Sequence, residues 1–388
     1  MAVEKIEGRS VFSDRGVVLS IEKGIITEVD YADLPPEAPC LSTGFTDIQV
    51  NGYMGIDYSA PWFGEGEVSQ MVNLLAKSGI TRHCPTIVTC PSDRIIRNIK
   101  TIVKAINNSL EFESSIPGIH VEGPYISSED GPRGAHDSRY VRDPDFDEYL
   151  NWQEAASGLI KIITLAPERK GALDFIQRVS KNGVAVAIGH TGAEPELIKE
   201  AVSAGARLST HLGNGSHSRI PRLKNYIWEQ LADDNLYASI IVDGYHLPES
   251  VVKVFARAKG LEKIILVSDV SMPAGRSPGL YKWGNIDVQV FKDGHLGLAG
   301  TEFLAGAGHL LDRDIAQFIR FTGHALKDAV KLCTSNPAKI LGIDLRLEEF
   351  SPGMPADIVQ FRYHQGAEKI EVLKTIFNGT TLYAGKTE

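Results

Sequence analysis

The chain has 388 residues, of which 43% are hydrophobic and 23% charged, the balance of a folded globular protein and not of a disordered or collagen-like one. Its 49 acidic against 40 basic side chains leave a formal charge of −9 with no basic run, which argues against sequence-independent nucleic-acid binding. No stretch approaches the ~18 consecutive apolar residues of a membrane span. The opening MAVEKIEGRS has no apolar run and the four cysteines (Cys40, Cys84, Cys90, Cys333) form no C-x-x-C pair, so a cytoplasmic chain is expected.

In chain order, short β-rich runs come first, Gly16 to Leu19 and Ile25 to Val29, divided by glycine and charge. Eight apolar runs follow: Phe45–Val50, Thr81–Ile87, Ile116–Val121, Ile160–Leu165, Val184–Ile188, Arg207–Thr210, Tyr237–Val242 and Ile264–Ser268. Segments of helical periodicity separate most of them, for example Val68 to Ser78, Ile95 to Asn107 and Pro195 to Ala204. Strands alternating with helices imply parallel βαβ units, and eight such units close into an α/β (β/α)8 barrel. A doubly wound open sheet would need a glycine-rich phosphate loop, and neither G-x-G-x-x-G nor a Walker pattern occurs. The last segment returns to β-character at Ala356 to Phe361 and Val372 to Phe377, and Asn378-Gly379 before Thr380 to Tyr383 reads as a hairpin. The expected organisation is a small β-sandwich domain from residues 1–42 plus 351–388, flanking a barrel domain over residues 43–350.

The polar residues fall where a barrel does its chemistry, at the C-terminal ends of strands. Run one ends in Gln49-Val50-Asn51, run three in Glu122, run five in His190 and run six in His211; run seven ends in Asp243 with His246 just beyond, and run eight in Asp269. A strand buried on both faces should be apolar throughout, and a charged or imidazole tip is costly unless paired or coordinated. Glu122, His190 and His211 form a Glu/His/His set, the three-ligand pattern of a catalytic zinc with one open position. Such an ion lowers the pKa of bound water toward neutrality, and Asp269 is the carboxylate placed to move the proton. Taken singly, His190 reads as well as a hydrogen-bonded loop histidine, Glu122 as the partner of a buried arginine and Asp269 as a helix cap.

The motifs GFTDIQVNG (44–52), HVEGPY (120–125), GAH (134–136), GHTGA (189–193), THLGN (210–214), DGYH (243–246) and SD (268–269) resemble the N-acetylglucosamine-6-phosphate deacetylase family of the amidohydrolase superfamily. The resemblance implies one divalent ion per subunit, Zn2+ foremost, held by Glu122, His190 and His211. It implies Asp269 as base then acid, and His136 against the sugar or the amide carbonyl. Asn214, Gly215, His246, Leu298 and Ala299 would lie near the substrate, and the subunit would form a homodimer. Many amidohydrolases carry H-x-H on the first strand for a second metal. Here Gln49 and Asn51 are neutral amides, poor zinc ligands, so a single ion is expected, with Gln49 orienting water or substrate.

The chain departs from the family after Asn214, reading NGSHSRIPRLKNYIWEQL where Asn-Ala-Met and a basic segment are usual. His217 is added, and Arg222 stands near the spacing of a phosphate-binding arginine, whose fork suits phosphate or else lies in a solvated loop. The leading expectation is hydrolysis of N-acetylglucosamine 6-phosphate to glucosamine 6-phosphate and acetate. The alternatives are deacetylation of another or a non-phosphorylated amino sugar, cyclic-amide hydrolysis or deamination, and a non-catalytic sugar-binding relative.

Overall fold

The computed structural model describes residues 4–109, 114–301, 303–343 and 348–385. Eight parallel strands form one sheet in sequential order: Phe45–Val50, Ile80–Val88, Ile119–Glu122, Ile160–Leu165, Ala185–Ile188, Ala206–Ser209, Tyr237–Ile240 and Ile264–Leu266. The first, third and fifth are buried at every position, as strands covered on both faces must be. The ring closes between strands one and eight. There Asp269 N donates to Gln49 O at 3.1 Å, Val50 bridges Val270, and the buried Asp47 carboxylate accepts the Gln49 and Ser268 N–H groups.

Helical periodicity turns into the barrel's outer ring. In Ser92–Asn107 the buried Ile95, Ile99, Ile102, Val103 and Ile106 recur every three or four residues and form the stripe facing the strands. Pro195–Ala204 begins with proline at its first turn and ends at Gly205, the expected asymmetry. Apolar residues drawn from alternate strand positions (Ile48, Cys84, Ile162, Ala187, Leu208, Ile241, Ile265 and Val267) make a cluster of their own that fills the barrel.

The chain ends pair with each other. Their seven-stranded sheet runs Thr380–Ala384, Glu371–Phe377, Ile358–Arg362, Cys40–Thr43, Glu4–Ser10, Gly16–Glu22, Ile25–Ala32. The Asn378-Gly379 turn has φ of 47° and 76°, the left-handed pair a two-residue hairpin demands. The sheet curls until Ile25 bridges Pro355, enclosing Leu19, Ile26, Leu41, Ile358 and Ile376 in a core of its own. A buried Arg82–Asp357 ion pair ties it to the second barrel strand. Residues 1–3 and 386–388 of the expected chain-end unit lie outside the described residues.

One element was not anticipated. Between the eighth strand and the Leu311–Thr322 helix stands an antiparallel sheet of Gly279–Trp283, Ile286–Val290 and Leu296–Leu298. Its first turn is Gly284-Asn285, a hairpin signal of the same kind as the one recognised near the C-terminus. Trp283 Nε1 donates to the buried Asp57 carboxylate at 3.2 Å and anchors this sheet to the barrel mouth.

Candidate active site

Glu122 closes the third strand, while His190, His211 and Asp269 stand two or three residues beyond the fifth, sixth and eighth. These last three all hold left-handed backbone, with φ of 52°, 30° and 51°. Histidine and aspartate tolerate that region better than bulky residues, yet each costs of order 1–3 kcal/mol. Such strain, repeated at three neighbouring strand tips, marks a place where side-chain direction outweighs backbone comfort.

The side chains converge. Glu122 Oε1 lies 3.1 Å from His190 Nε2 and 3.0 Å from His211 Nε2, and the two imidazole nitrogens are 3.1 Å apart. A fourth donor, His136 Nε2, is 3.2 Å from His190 Nε2, and ligand atoms of Glu122, His136 and His190 all fall within 4.8 Å of one another. A tetrahedral ion with bonds of 2.0–2.1 Å sets its donors about 3.3 Å apart, so the cluster has the dimensions of a zinc site. The His190 tautomer agrees. His190 Nδ1 donates to Pro132 O at 2.8 Å, which leaves the Nε2 lone pair facing the cluster. Bare imidazole nitrogens this close repel unless a proton or a cation lies between them. The donor set therefore fits a divalent ion.

The first strand supplies amides. Gln49 Nε2 donates to both Glu122 Oε1 and Asp269 Oδ1 at 3.0 Å, and Asn51 Nδ2 donates to Asp269 Oδ1 at 2.7 Å. Both amides grip the same oxygen, which leaves Asp269 Oδ2 without them. Burial and the negative charge of Glu122 push Asp269 up to about 6. Burial also opposes ionisation of Glu122, but the His190 and His211 imidazoles set against its oxygen outweigh burial and hold that carboxyl well below its usual range. The two carboxylates are thus driven apart, one fixed as an anion and one poised near neutrality, the division expected of ligand and proton carrier. Burial lowers His136 to about 3, so its ring is neutral, with Nδ1 2.7 Å from Thr89 Oγ1.

The remaining sequence candidates divide. Asn214 Nδ2 donates to His211 O at 3.2 Å, and Gly215, at φ 55°, lies so close to His190 that an added Cβ would come within 2.7 Å of its ring. His246 Nδ1 lies 2.9 Å from Asp243 Oδ2, and that contact helps hold Asp243 near 2 against the upward pull of burial. Arg222 is exposed and, like Arg219, has no ion-pair partner among the described residues, whereas Lys224 is paired with Glu196 at 3.1 Å. Leu298 and Ala299 are partly buried; their N–H groups donate to Phe303 O and Asp287 O, which fixes them to the three-stranded sheet and not to the donor cluster.

Sequence reasoning passed over three supports. Thr89, just past the second strand, orients His136. Pro132 O orients His190. Glu168, beyond the fourth strand, accepts Thr191 Oγ1 at 2.5 Å and Gly192 N at 2.8 Å, immediately after His190. The second and fourth strands had seemed without chemistry because their contributions, one and three residues past the strand ends at Val88 and Leu165, act by supporting the histidines and do not join the donor cluster.

A parallel barrel with a carboxylate–imidazole donor cluster and a held aspartate at its C-terminal mouth defines a hydrolase of the metal-assisted barrel class. The chain belongs to the amidohydrolase family, whose model matches residues 41–382. It is 30% identical over 90% of its length, and 86% of the relative's, to an N-acetylglucosamine-6-phosphate deacetylase of Bacillus subtilis. The structure of such a deacetylase from Thermotoga maritima superposes with a TM-score of 0.86 at 26% identity, covering 98% of this chain and 100% of that one. A Mycobacterium smegmatis deacetylase variant in complex with N-acetyl-D-glucosamine-6-phosphate gives 0.82 at 27% identity, covering 95% of each chain. No helix among the described residues is long and apolar enough to cross a membrane.

Proposed function

We propose that the protein hydrolyses the acetamide of N-acetylglucosamine 6-phosphate, releasing acetate and glucosamine 6-phosphate. The observation that carries this reading is the joint placement of three metal-type donors, Glu122, His190 and His211, beside an aspartate whose one free oxygen is left for a proton. Those three would hold one divalent ion, Zn2+ by donor type, with His136 at their edge. When bound, such an ion polarises a carbonyl oxygen and makes water acidic.

The chain's own groups do the rest. Asp269 Oδ2 takes a proton from the attacking water as its oxygen bonds to the acetamide carbon. Asp269 then passes that proton to the amide nitrogen, the C–N bond breaks, and acetate and amine leave. A carboxyl near 6 gains and loses a proton with little bias at neutral pH, as both halves of that shuttle require. Gln49 and Asn51 hold Asp269 and border the substrate, a placement that also keeps the two acidic side chains from turning toward each other. We assign Arg222 and the free nitrogen of His246 to the phosphate end, and Asn214, Gly215, Leu298 and Ala299 to the walls around the sugar. On the same reading the enzyme is a cytoplasmic homodimer, with the chain-end strands a unit apart from the barrel.

The test is an acetate-release assay across N-acetylhexosamines with and without the 6-phosphate. Acetate and free amine in equal amounts, preferentially from the 6-phosphate, and near-complete loss in Asp269→Asn, are expected. Ammonia release or ring opening of a cyclic amide in place of acetate would overturn the assignment in favour of another amidohydrolase reaction. No product from any substrate would favour a binding protein.

A further inference from the structure

The segment after Asn214 contains His217, and its imidazole sits where three loops meet. One is the loop after the third strand, Ser127 to His136, which carries two groups of the site: His136 itself and the Pro132 carbonyl that orients His190. Its near side is fastened to His190, because Ser127 N donates to His190 O at 3.0 Å and Gly134 lies against the imidazole. Its far side is fastened by His217, whose Nε2 is 2.9 Å from Glu129 Oε2. An added Cβ on Gly131 would come within 3.1 Å of the His217 backbone. The ring also packs on the loop after the fifth strand, so closely that a Cβ on Gly192 would lie 2.7 Å from its Cε1.

Both ring nitrogens have a hydrogen-bond partner. His217 N donates to Tyr226 Oη at 3.0 Å, the Tyr226 hydroxyl donates to Nδ1 at 3.2 Å, and Nε2–H donates to Glu129. Tyr226 is buried at the start of the Tyr226–Ala232 helix, so the ring has a rigid anchor on one side and a solvent-facing carboxylate on the other.

We infer that His217 is a positioning residue, a clasp that pins the Ser127–His136 loop across the loops after strands five and six. Pinned this way, the loop keeps Pro132 O against His190 and His136 within the donor cluster. The clasp touches none of the reacting atoms. It acts through the aim of His190 and His136.

The inference rests on the proposed hydrolysis for its kinetic arm alone; two other arms need no substrate. In zinc-loaded protein, His217→Ala and Glu129→Ala are each expected to speed tryptic cleavage after Arg133 and zinc release to a chelator by about two- to fivefold, the range of one exposed hydrogen bond to a carboxylate. The double variant should be no faster than the worse single one, because both break the same contact. His217→Gln should restore the wild-type rates, since its terminal amide reaches the place of Nε2–H. In the acetate assay the loss should fall on kcat with KM little changed. Glu129 lies on the surface, so Glu129→Ala keeps the test open if His217→Ala fails to fold. Unchanged cleavage and zinc release in both single variants would overturn the clasp, as would effects that simply add in the double variant. Wild-type protein that releases no acetate would instead refute the hydrolysis and leave the cleavage and zinc arms readable.

Discussion

Asn51 offers the sharpest test of how the site sets its proton carrier. Its Nδ2 donates to Asp269 Oδ1 at 2.7 Å, and this bond favours the ionised carboxylate that burial and Glu122 disfavour. Asn51→Leu keeps the volume and removes the donor. A hydrogen bond to a charged group is worth about 1.5–3 kcal/mol, which at 1.36 kcal/mol per unit raises the Asp269 pKa by about 1–2 units, from about 6 to about 7–8. Because the reaction uses the deprotonated form, the acid limb of kcat/KM moves to higher pH. The variant should lose roughly four- to fortyfold at pH 6.5 and less than about twofold at pH 9, from the ionised fractions alone. The assay is kcat/KM for acetate release from pH 5.5 to 9. A limb that stays in place or moves to lower pH, or a loss equal at every pH, would refute the argument that Asn51 tunes Asp269.

Four further outcomes follow from other parts of the molecule. Purified protein should carry one zinc per chain by elemental analysis, chelation should abolish turnover, and alanine at Glu122, His190 or His211 should lower metal content; full activity in metal-free protein would contradict the site. Trp152 is fully buried, stacked on Tyr125 at 5.4 Å, with Nε1 3.1 Å from Ser92 Oγ, so Trp152→Ala should cost about 3–5 kcal/mol in a denaturant titration. Breaking the buried Arg82–Asp357 pair with Asp357→Ala should cost about 3–5 kcal/mol, whereas replacing both partners by apolar residues should cost much less, as thermal melts of the two variants beside the wild type would show. Burial raises Asp57 from 3.8 to about 6, so the folded state holds a proton that the unfolded chain releases. Its contribution is full below about pH 4 and falls by about 3 kcal/mol as pH rises to 6; Asp57→Asn should flatten that slope, measured as stability against pH.

The barrel was legible because strands covered on both faces are written as continuous apolar runs, and Phe45–Val50 and Ile160–Leu165 coincide with their runs to the residue. The third run was read too early at Ile116: Pro117 and Gly118 break the extended chain, and the strand begins at Ile119. The sheet of residues 279–298 went unread although Ile286–Val290 alternates apolar and polar residues and buries Val288 and Val290, because its strands are only three to five residues long and interrupt the strand–helix alternation by which the barrel was read. Strand-tip logic singled out Glu122, His190, His211 and Asp269, which the structure brings together, because each lies at or within three residues of its strand's end. It could not locate Thr89, Pro132 or Glu168, whose parts depend on how loops cross in space. The same limit applies to His136, expected against the substrate, whose closeness to the donor cluster (Nε2 3.2 Å from His190 Nε2) depends on the loop that carries it.

The sheet shared by the two chain ends constrains the order of biosynthesis. Thr43 pairs with Ile358, and 315 residues separate them, so the central strand Cys40–Thr43 waits for its C-terminal neighbour until nearly all the polypeptide is made. At about 5–20 residues per second that interval is roughly 15–60 s, during which Leu41 and its apolar neighbours lack their C-terminal cover. The nascent chain should therefore be a client of ribosome-proximal chaperones, and truncation before Ile358 should leave it prone to aggregation however complete its barrel.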